Sequence, residues 1–409
     1  MDLEQKYFLH TLPNGLRIAY MHNPLGRVAY CGLAVNAGSR DEDDTKQGLA
    51  HFVEHTIFKG TARRKAWHIL NRMERVGGEL NAYTTKEETL VYSVFPSGYM
   101  ERAVDLIADL VMNSVFPSHE LDKEREVVVE EIQSYRDSPS EAIYDDFEDM
   151  LFKGSSLGHN ILGTEACLEQ IGTDDCLQYM KGLYVPENMV FFAVDSLPAE
   201  KIFRLAEKYF GAMSHSVNRK TRCPISKLQH FNHTVSIGSH QAHAIVGTIT
   251  PGMHDKDKYA LLLLNNMLGG PGMNSTLNVA IRERRGYAYT VESSLTLFSD
   301  CGVFSIYFGC DDKQVEKCLK LIDNELERIA SGGITSAALE AAKKQYVGQL
   351  LVSSENPEGK ALSMGRGMLA YNEITTIQQV AEQIRAVTPE QIKAIGEHLA
   401  VNCSTLTFR

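Results

Sequence analysis

A run of five residues near the start of the chain, His51-Phe52-Val53-Glu54-His55, brings together side chains that hydrolytic metal sites use. The run lies within a helical pattern from about Gly48 to Phe58, in which residues four apart share one face. His51 and His55 can then bind one Zn²⁺ through neutral imidazoles, and Glu54 beside them can take a proton from the attacking water. The alternative is a pair of ordinary histidines on a half-buried helix. The first interpretation predicts a zinc-dependent hydrolase.

Catalytic zinc takes three protein ligands, so a further acidic or imidazole side chain is required. The helical segment 120–135 offers several glutamates, and its phase separates them. Its apolar stripe consists of Leu121, Val128, Ile132 and Tyr135. Glu131 and Glu124 fall on the edge of that stripe, whereas Glu126 and Glu130 point away from it. A carboxylate directed at the interior needs a partner, so Glu131 and Glu124 are both candidates for the third ligand.

The elements that must position these residues follow an order that occurs twice. Two strands, helices, two further strands, several helices, a strand and a helix fill the first half, and a similar order follows the linker. We therefore predict an α+β protein of two repeated halves, 1–215 and 232–409, joined by a linker at 216–231. Each half resembles an α/β sandwich.

Composition excludes several classes of protein. The 409 residues carry a formal net charge of -11, which argues against nucleic acid or an anionic membrane as the main partner. Eight cysteines include no C-x-x-C pair and read as free thiols. The amino terminus lacks the pattern of a signal or transit peptide, so we expect a cytoplasmic protein.

Taken together, these motifs resemble the pitrilysin/insulinase family of zinc metallopeptidases, in particular its short, processing-peptidase-like bacterial branch. The similarity includes Phe58-Lys59-Gly60-Thr61, the stretch from Gly77 to Thr84, and Glu130-Glu131-Ile132. It implies that His51, His55 and Glu131 bind one zinc ion per chain and that Glu54 is the general base. It also implies that Glu124 supports a ligand from outside the coordination sphere.

The second half carries its own part of the resemblance. The segments Leu268 to Ser275 and Ile281 to Tyr289 are similar to the family region whose Arg and Tyr reach the active site. This implies that Arg282 and Tyr289 contact the substrate carbonyl oxygen or the developing oxyanion. Asn274 and Tyr287 stand where the family usually has Ser and Leu, and these departures leave the Arg and Tyr in place.

The resemblance implies a fold and a function for the whole chain. Each half is expected to contain a mostly antiparallel sheet backed by helices, and four halves are expected to enclose a chamber, so a homodimer is implied. The activity is that of a zinc metalloendopeptidase that hydrolyses extended or unfolded peptides. Asn81 and Ala82, on an edge strand, are expected to hold the peptide by strand addition. The alternative is a non-catalytic scaffold or partner subunit of a processing-peptidase-like complex.

Other residues are expected to have structural roles. His240 and His243 lie three apart in a predicted strand, point to opposite faces and make a poor metal pair. His159 is expected to serve loop packing, and Trp67 to anchor the core from its helix.

Overall fold

The computed structural model describes residues 6–214, 221–225 and 230–409. The chain divides into two compact units, and each is built from three segments. The first unit comprises Met1–Ile132, His159–Arg222 and Ser354–Thr375, and the second comprises Gln133–Gly158, Cys223–Ser353 and Thr376–Arg409. Much of the predicted linker, 216–220 and 226–229, lies outside the described residues, and its boundaries stay a prediction.

Strands and helices alternate along the chain in both halves. The strands are β1 (Lys6–Thr11), β2 (Arg17–His22), β3 (Val28–Val35), β4 (Glu79–Thr84), β5 (Thr89–Pro96), β6 (Met189–Asp195), β7 (Asn232–Val235), β8 (Ala242–Pro251), β9 (Ala288–Leu297), β10 (Cys301–Cys310) and β11 (Ser404–Phe408). The helices are α1 (Leu49–Thr56), α2 (Ala66–Glu74), α3 (Met100–Asn113), α4 (Ser118–Arg136), α5 (Pro139–Leu151), α6 (Glu165–Leu168), α7 (Thr173–Leu183), α8 (Ala199–Phe210), α9 (Lys258–Gly269), α10 (Val315–Ala330), α11 (Ser336–Ser353), α12 (Pro357–Tyr371), α13 (Ile377–Ala386) and α14 (Pro389–Asn402). Within the described ranges, no helix has both the length and the apolar character needed to cross a membrane.

Six strands of the first unit form one sheet in the order β1-β2-β6-β3-β5-β4. The first two strands form a hairpin, since β1 and β2 pair antiparallel with Thr11 opposite Arg17. Only the β2–β6 pair among these described strands is parallel. The central strands β3 and β6 are almost entirely buried, as expected for a sheet covered on both faces. The strand β4 lies at one edge.

Helices from both halves of the sequence cover the two faces of this sheet. On one face α3 packs against β3 and β5, and α8 packs against β2. On the other face α12 packs against β6, β3 and β2 and buries Met364 and Met368. The approach of α12 is close at Gly365, where a Cβ atom would lie 2.5 Å from the ring of Phe192. The helix α12, from the second half of the sequence, thus completes the first unit.

The second unit repeats the arrangement with a five-stranded sheet of described strands, in the order β7-β11-β8-β10-β9. All pairs in it are antiparallel except β11 with β7. One face packs against α9, α10 and α14, and the other packs against α5. From α5 the side chains of Ile143, Phe147 and Leu151 enter this core.

The expected fold class is confirmed: an α+β protein with two mostly antiparallel sheets backed by helices. The segments that carry α5 and α12 each belong to the unit whose sheet lies in the other half of the sequence. The sequence predicted two continuous halves, and it did not predict that α5 and α12 lie with the sheet of the other half. The helices α3 and α4 are separate, because Phe116 between them has a positive φ of 46° and is followed by Pro117.

Two aromatic residues are more exposed than the sequence pattern predicted. Trp67 is 57% exposed, so its expected place in the core is wrong; α2 turns Ile69 and Met73 inward instead. The guanidinium of Arg75 lies 4.9 Å from the Trp67 ring. Tyr135 is 41% exposed because it lies in the last turn of α4, beyond the last buried residue of the stripe.

Candidate active site

The helix α1 carries two imidazoles on one face. His51 and His55 lie one turn apart, and their ring centroids are 4.5 Å apart. Between them, Phe52 and Val53 are completely buried and anchor the opposite side of the helix in the core of the first unit. The amphipathic division of one short helix therefore fixes the direction of both imidazoles.

A carboxylate from α4 meets these two rings. Glu131 Oε2 lies 3.8 Å from His51 Nε2 and 3.5 Å from His55 Nε2. The helical phase predicted from the sequence holds, since Glu124 is buried and Glu131 is half-buried, whereas Glu126 and Glu130 are exposed. The predicted metal ligands therefore lie together, each within 4.8 Å of the others through one donor atom.

The second glutamate of α4 contacts the back of one imidazole. Glu124 Oε1 lies 3.0 Å from His55 Nδ1, which leaves His55 Nε2 directed at Glu131. Its other oxygen lies 2.5 Å from Lys59 Nζ. A carboxylate in this position fixes the tautomer and the orientation of a ligating histidine. The contact made by Lys59 was not predicted, because nothing in its spacing marks one lysine after α1 as the partner of a buried acid.

Burial acts in opposite directions on the imidazole and the carboxylate of α1. It lowers the pKa of His51 to about 3, with a smaller contribution from the neighbouring His55, so the ring is neutral at physiological pH. Burial raises the pKa of Glu54, while the polar groups of Thr84 and the charge of His55 act against that rise. A neutral imidazole is the form that binds a metal, and a carboxyl of raised pKa suits a general base.

The edge strand β4 lies beside α1 and reaches Glu54 directly. Its last residue, Thr84, favours the charged form of the Glu54 carboxylate through its hydroxyl and its backbone N–H, which lowers the pKa of Glu54 against the effect of burial. Asn81 and Ala82 lie in the same strand, paired with Tyr92 and Val91 of β5. Thr84 is a site residue that sequence reasoning did not identify; its place at the end of the strand after a Gly-Gly turn was the available signal.

The donor set fits a zinc ion. Ligands bound at about 2.0–2.2 Å in a tetrahedron lie about 3.4 Å from one another, close to the separations from Glu131 Oε2 to the two imidazoles. Two neutral nitrogen donors and one carboxylate form the kind of three-ligand set that leaves a fourth position for water or substrate.

The second unit contains the two residues expected to contact substrate. Arg282 lies in a short π-helical turn, Asn278–Glu283, and its side chain is half-exposed. It also lines a cavity of about 640 Å³ beside the glycine loop 269–272. Tyr289, at the start of β9, is 64% exposed. Their proposed roles at the substrate stay predictions.

The remaining histidines singled out from the sequence have other partners. His243 is buried in β8, where its Nδ1 lies 2.8 Å from the hydroxyl of Tyr307. His159 is buried in a loop of the first unit, where its Nε2 lies 3.0 Å from Glu42 Oε2. In the part of the chain that the structure describes, His51, His55 and Glu131 are the one group of three or more with metal-binding geometry.

Comparison with known proteins agrees with this geometry. Residues 17–165 match the family model described as insulinase (peptidase family M16), and residues 170–346 match the one described as the peptidase M16 inactive domain. A protein of Mycobacterium leprae named an uncharacterized zinc protease is 34% identical over 394 residues, covering 95% of this chain and 88% of its own. One of the same description from Bacillus subtilis is 32% identical over 390 residues, covering 95% of each.

Solved structures share the fold at lower identity. The crystal structure of a protease from Helicobacter pylori superimposes with a TM-score of 0.90 at 22% identity and covers 99% of both chains. A structure from Pseudomonas fluorescens, titled as a peptidase M16 inactive domain, superimposes with a TM-score of 0.91 at 19% identity and covers 98% of this chain and 97% of its own. With relatives above 30% identity along nearly its whole length, the chain belongs to the insulinase family of peptidases, peptidase family M16.

Proposed function

We propose that this protein is a zinc-dependent endopeptidase that hydrolyses extended or unfolded peptides. The observation that carries the proposal is the convergence of His51, His55 and Glu131 on one point, with the Glu54 carboxylate on the same helix. The zinc protease names of its relatives support the same chemistry.

In this proposal His51, His55 and Glu131 hold one zinc ion per chain. When bound, the metal polarises the scissile carbonyl and makes a water molecule more acidic. Glu54 then accepts the proton of the attacking water and returns it to the leaving amine. Thr84 favours the charged form of Glu54, which is the form that accepts the proton.

The edge strand β4 offers a way to hold the peptide. As the last strand in the sheet order, β4 can accept an extended peptide as a further strand through its main chain, at Asn81 and Ala82. This mode recognises backbone and excludes folded proteins, so we expect unstructured peptides of varied sequence as substrates.

Arg282 and Tyr289 complete the proposed machinery. Both side chains are exposed, and both carry hydrogen-bond donors that can stabilise an oxyanion. We infer that the active enzyme is a homodimer in which two chains supply four α+β halves around a chamber. Light scattering should then give twice the mass of one chain.

A single carboxylate substitution tests the proposal. Glu54→Gln should lower kcat/KM for an unstructured peptide by at least about 100-fold, because general base catalysis contributes about that much or more. Elemental analysis should still find zinc in this variant, since Glu54 is not a ligand. Glu130→Gln, which removes an exposed carboxylate of α4, is the matched control and should retain full activity. Full activity of Glu54→Gln would exclude the role assigned to it.

A second candidate function follows from the inactive-domain description matched by residues 170–346. In that case the chain is a non-catalytic partner subunit. All three ligand residues lie outside that segment, in the part matched by the insulinase model, which favours the peptidase. A wild-type protein with neither zinc nor cleavage of unstructured peptides would establish the partner role instead.

A further inference from the structure

The start of the helix α1 is held by an acidic residue from the preceding loop. Gly48, the residue before α1, has a positive φ of 92° and offers no side chain to cap the helix. Instead, the carboxylate of Glu42 accepts hydrogen bonds from Gly48 N at 2.9 Å and from Ala50 N at 2.7 Å. These are among the N–H groups that a helix leaves without an internal partner, and a negative charge is favourable beside them.

The capping carboxylate is itself fixed from behind. His159 Nε2 lies 3.0 Å from Glu42 Oε2, and Lys86 Nζ donates a hydrogen bond to the backbone carbonyl of His159. The side chain of Glu42 is fully buried, and that of His159 is 8% exposed. Close backbone packing adds to this, because a Cβ atom on Gly48 would lie 2.5 Å from the carbonyl oxygen of Leu162. The helix start therefore has little freedom to move.

The two imidazoles of α1 differ in how they are supported. His55 Nδ1 has the carboxylate of Glu124 at 3.0 Å, whereas His51 Nδ1 is buried with no hydrogen-bond partner among the described residues. His51 directly follows Ala50, one of the two residues whose backbone Glu42 binds. Its orientation is therefore set through the backbone at the helix start rather than by a partner on its own ring.

We propose that Glu42, held by His159, is a positioning residue for the metal ligand His51. It acts on the metal site by fixing the first turn of α1 and makes no contact with the metal itself. The inference rests on the zinc site proposed above and adds a residue to it that lies nine positions before the first ligand. Glu124 supports His55 by contact with its imidazole ring, whereas Glu42 supports His51 by binding the backbone at the start of α1.

The two hydrogen bonds of Glu42 predict the effect of a glutamine at position 42. Glu42 accepts at both oxygens, from Ala50 N at Oε1 and from Gly48 N at Oε2. A Gln side chain has one acceptor and one donor at its end. In either orientation its NH₂ group faces a backbone N–H, so one hydrogen bond at the helix start is lost and the negative charge is lost with it.

Zinc affinity tests the proposal independently of catalysis. We would measure zinc binding by competition with a chromophoric chelator for wild type, Glu42→Gln and His159→Leu, and thermal unfolding of each metal-free protein. Glu42→Gln should weaken zinc binding about tenfold or more, the usual effect of removing a group that orients a ligand. The control Thr376→Ala removes the side-chain cap of α13 in the second unit and should bind zinc as tightly as wild type.

The outcomes separate this inference from the zinc site on which it rests. Wild type that binds zinc, together with a folded Glu42→Gln protein of equal affinity, would overturn the role of Glu42 alone. Wild type without zinc would overturn the proposed function as well. If Glu42→Gln does not fold, His159→Leu decides: weakened zinc binding supports the proposal, and unchanged binding contradicts it. A loss of zinc affinity in Thr376→Ala as large as that in Glu42→Gln would show that lower stability in general weakens zinc binding. That result would also contradict the role of Glu42.

Discussion

The Nδ1 atom of His55 lies 3.0 Å from Glu124 Oε1, and this glutamate is shared with the ammonium group of Lys59. The contact commits Nδ1 to the carboxylate and leaves Nε2 free to face Glu131. In the proposed zinc site, Glu124 thus selects which nitrogen of His55 is available to a metal, without being a ligand itself.

Replacing this carboxylate should weaken the metal site. Glu124→Gln removes the charge that holds His55 and leaves Lys59 without its ion pair, so zinc affinity should fall about 10- to 100-fold. Competition with a chelator measures this directly. Glu126→Gln, an exposed carboxylate on the same helix, is the control and should bind zinc normally. Equal affinities for the two variants would contradict a supporting role for Glu124.

The hydroxyl of Thr84 gives a second test, because it acts on the proposed base Glu54 and not on the proposed ligands. Thr84→Val keeps the shape and the backbone N–H but removes the hydroxyl that lowers the pKa of Glu54. We expect kcat to fall while the zinc affinity stays unchanged. Thr405→Val, a similar change in β11 of the second unit, controls for the loss of a strand hydroxyl. A Thr84→Val enzyme with unchanged kcat would contradict this role of the hydroxyl.

Sequence periodicity brought together the three residues that the structure places side by side, because their geometry is local. His51 and His55 follow from helical spacing, and the phase of α4 separated Glu124 and Glu131 from the exposed glutamates. Glu42 has no such signal, because it lies in a loop and reaches α1 through its own side chain. The same limit explains why the sequence did not predict which sheet α5 and α12 pack against. An amphipathic pattern shows that a helix buries one face but does not identify the sheet that covers it.

The packing of α12 against the first sheet should tolerate no side chain at Gly365. A Cβ atom there would lie 2.5 Å from the ring of Phe192, a buried strand residue, so Gly365→Ala should lower the free energy of unfolding by about 1–3 kcal/mol. Gly348 in α11 has open space around it, and Gly348→Ala should raise the free energy of unfolding by about 0.5–1 kcal/mol. Urea denaturation followed by circular dichroism distinguishes the two. A rise of equal size in the free energy of unfolding of both variants would mean that helix propensity, and not the contact with Phe192, decides the result.

The buried His243 should make stability depend on pH in one direction. Burial lowers its pKa below the ordinary value of 6.5. Below about pH 6.5 the unfolded chain therefore binds a proton that the folded chain refuses, and the free energy of unfolding decreases as the pH falls toward the folded pKa. His243→Gln cannot take up that proton, so its unfolding free energy should decrease less steeply over this range. Exposed His233→Gln is the control, and curves of equal slope for His243→Gln and wild type would contradict the prediction.

Removal of the metal should destabilise the folded chain only when the ligands are intact. Zinc that binds the folded protein at a free concentration 1,000 times its dissociation constant stabilises that state by about 4 kcal/mol. A chelator should therefore lower the thermal midpoint of wild type, whereas the midpoint of His51→Ala should be the same with and without chelator. Comparing each protein with itself cancels the cost of the cavity that the substitution leaves. His119→Ala removes an exposed histidine of α4 and should respond to chelator as wild type does. A chelator effect of equal size in His51→Ala would place the stabilising metal at other residues.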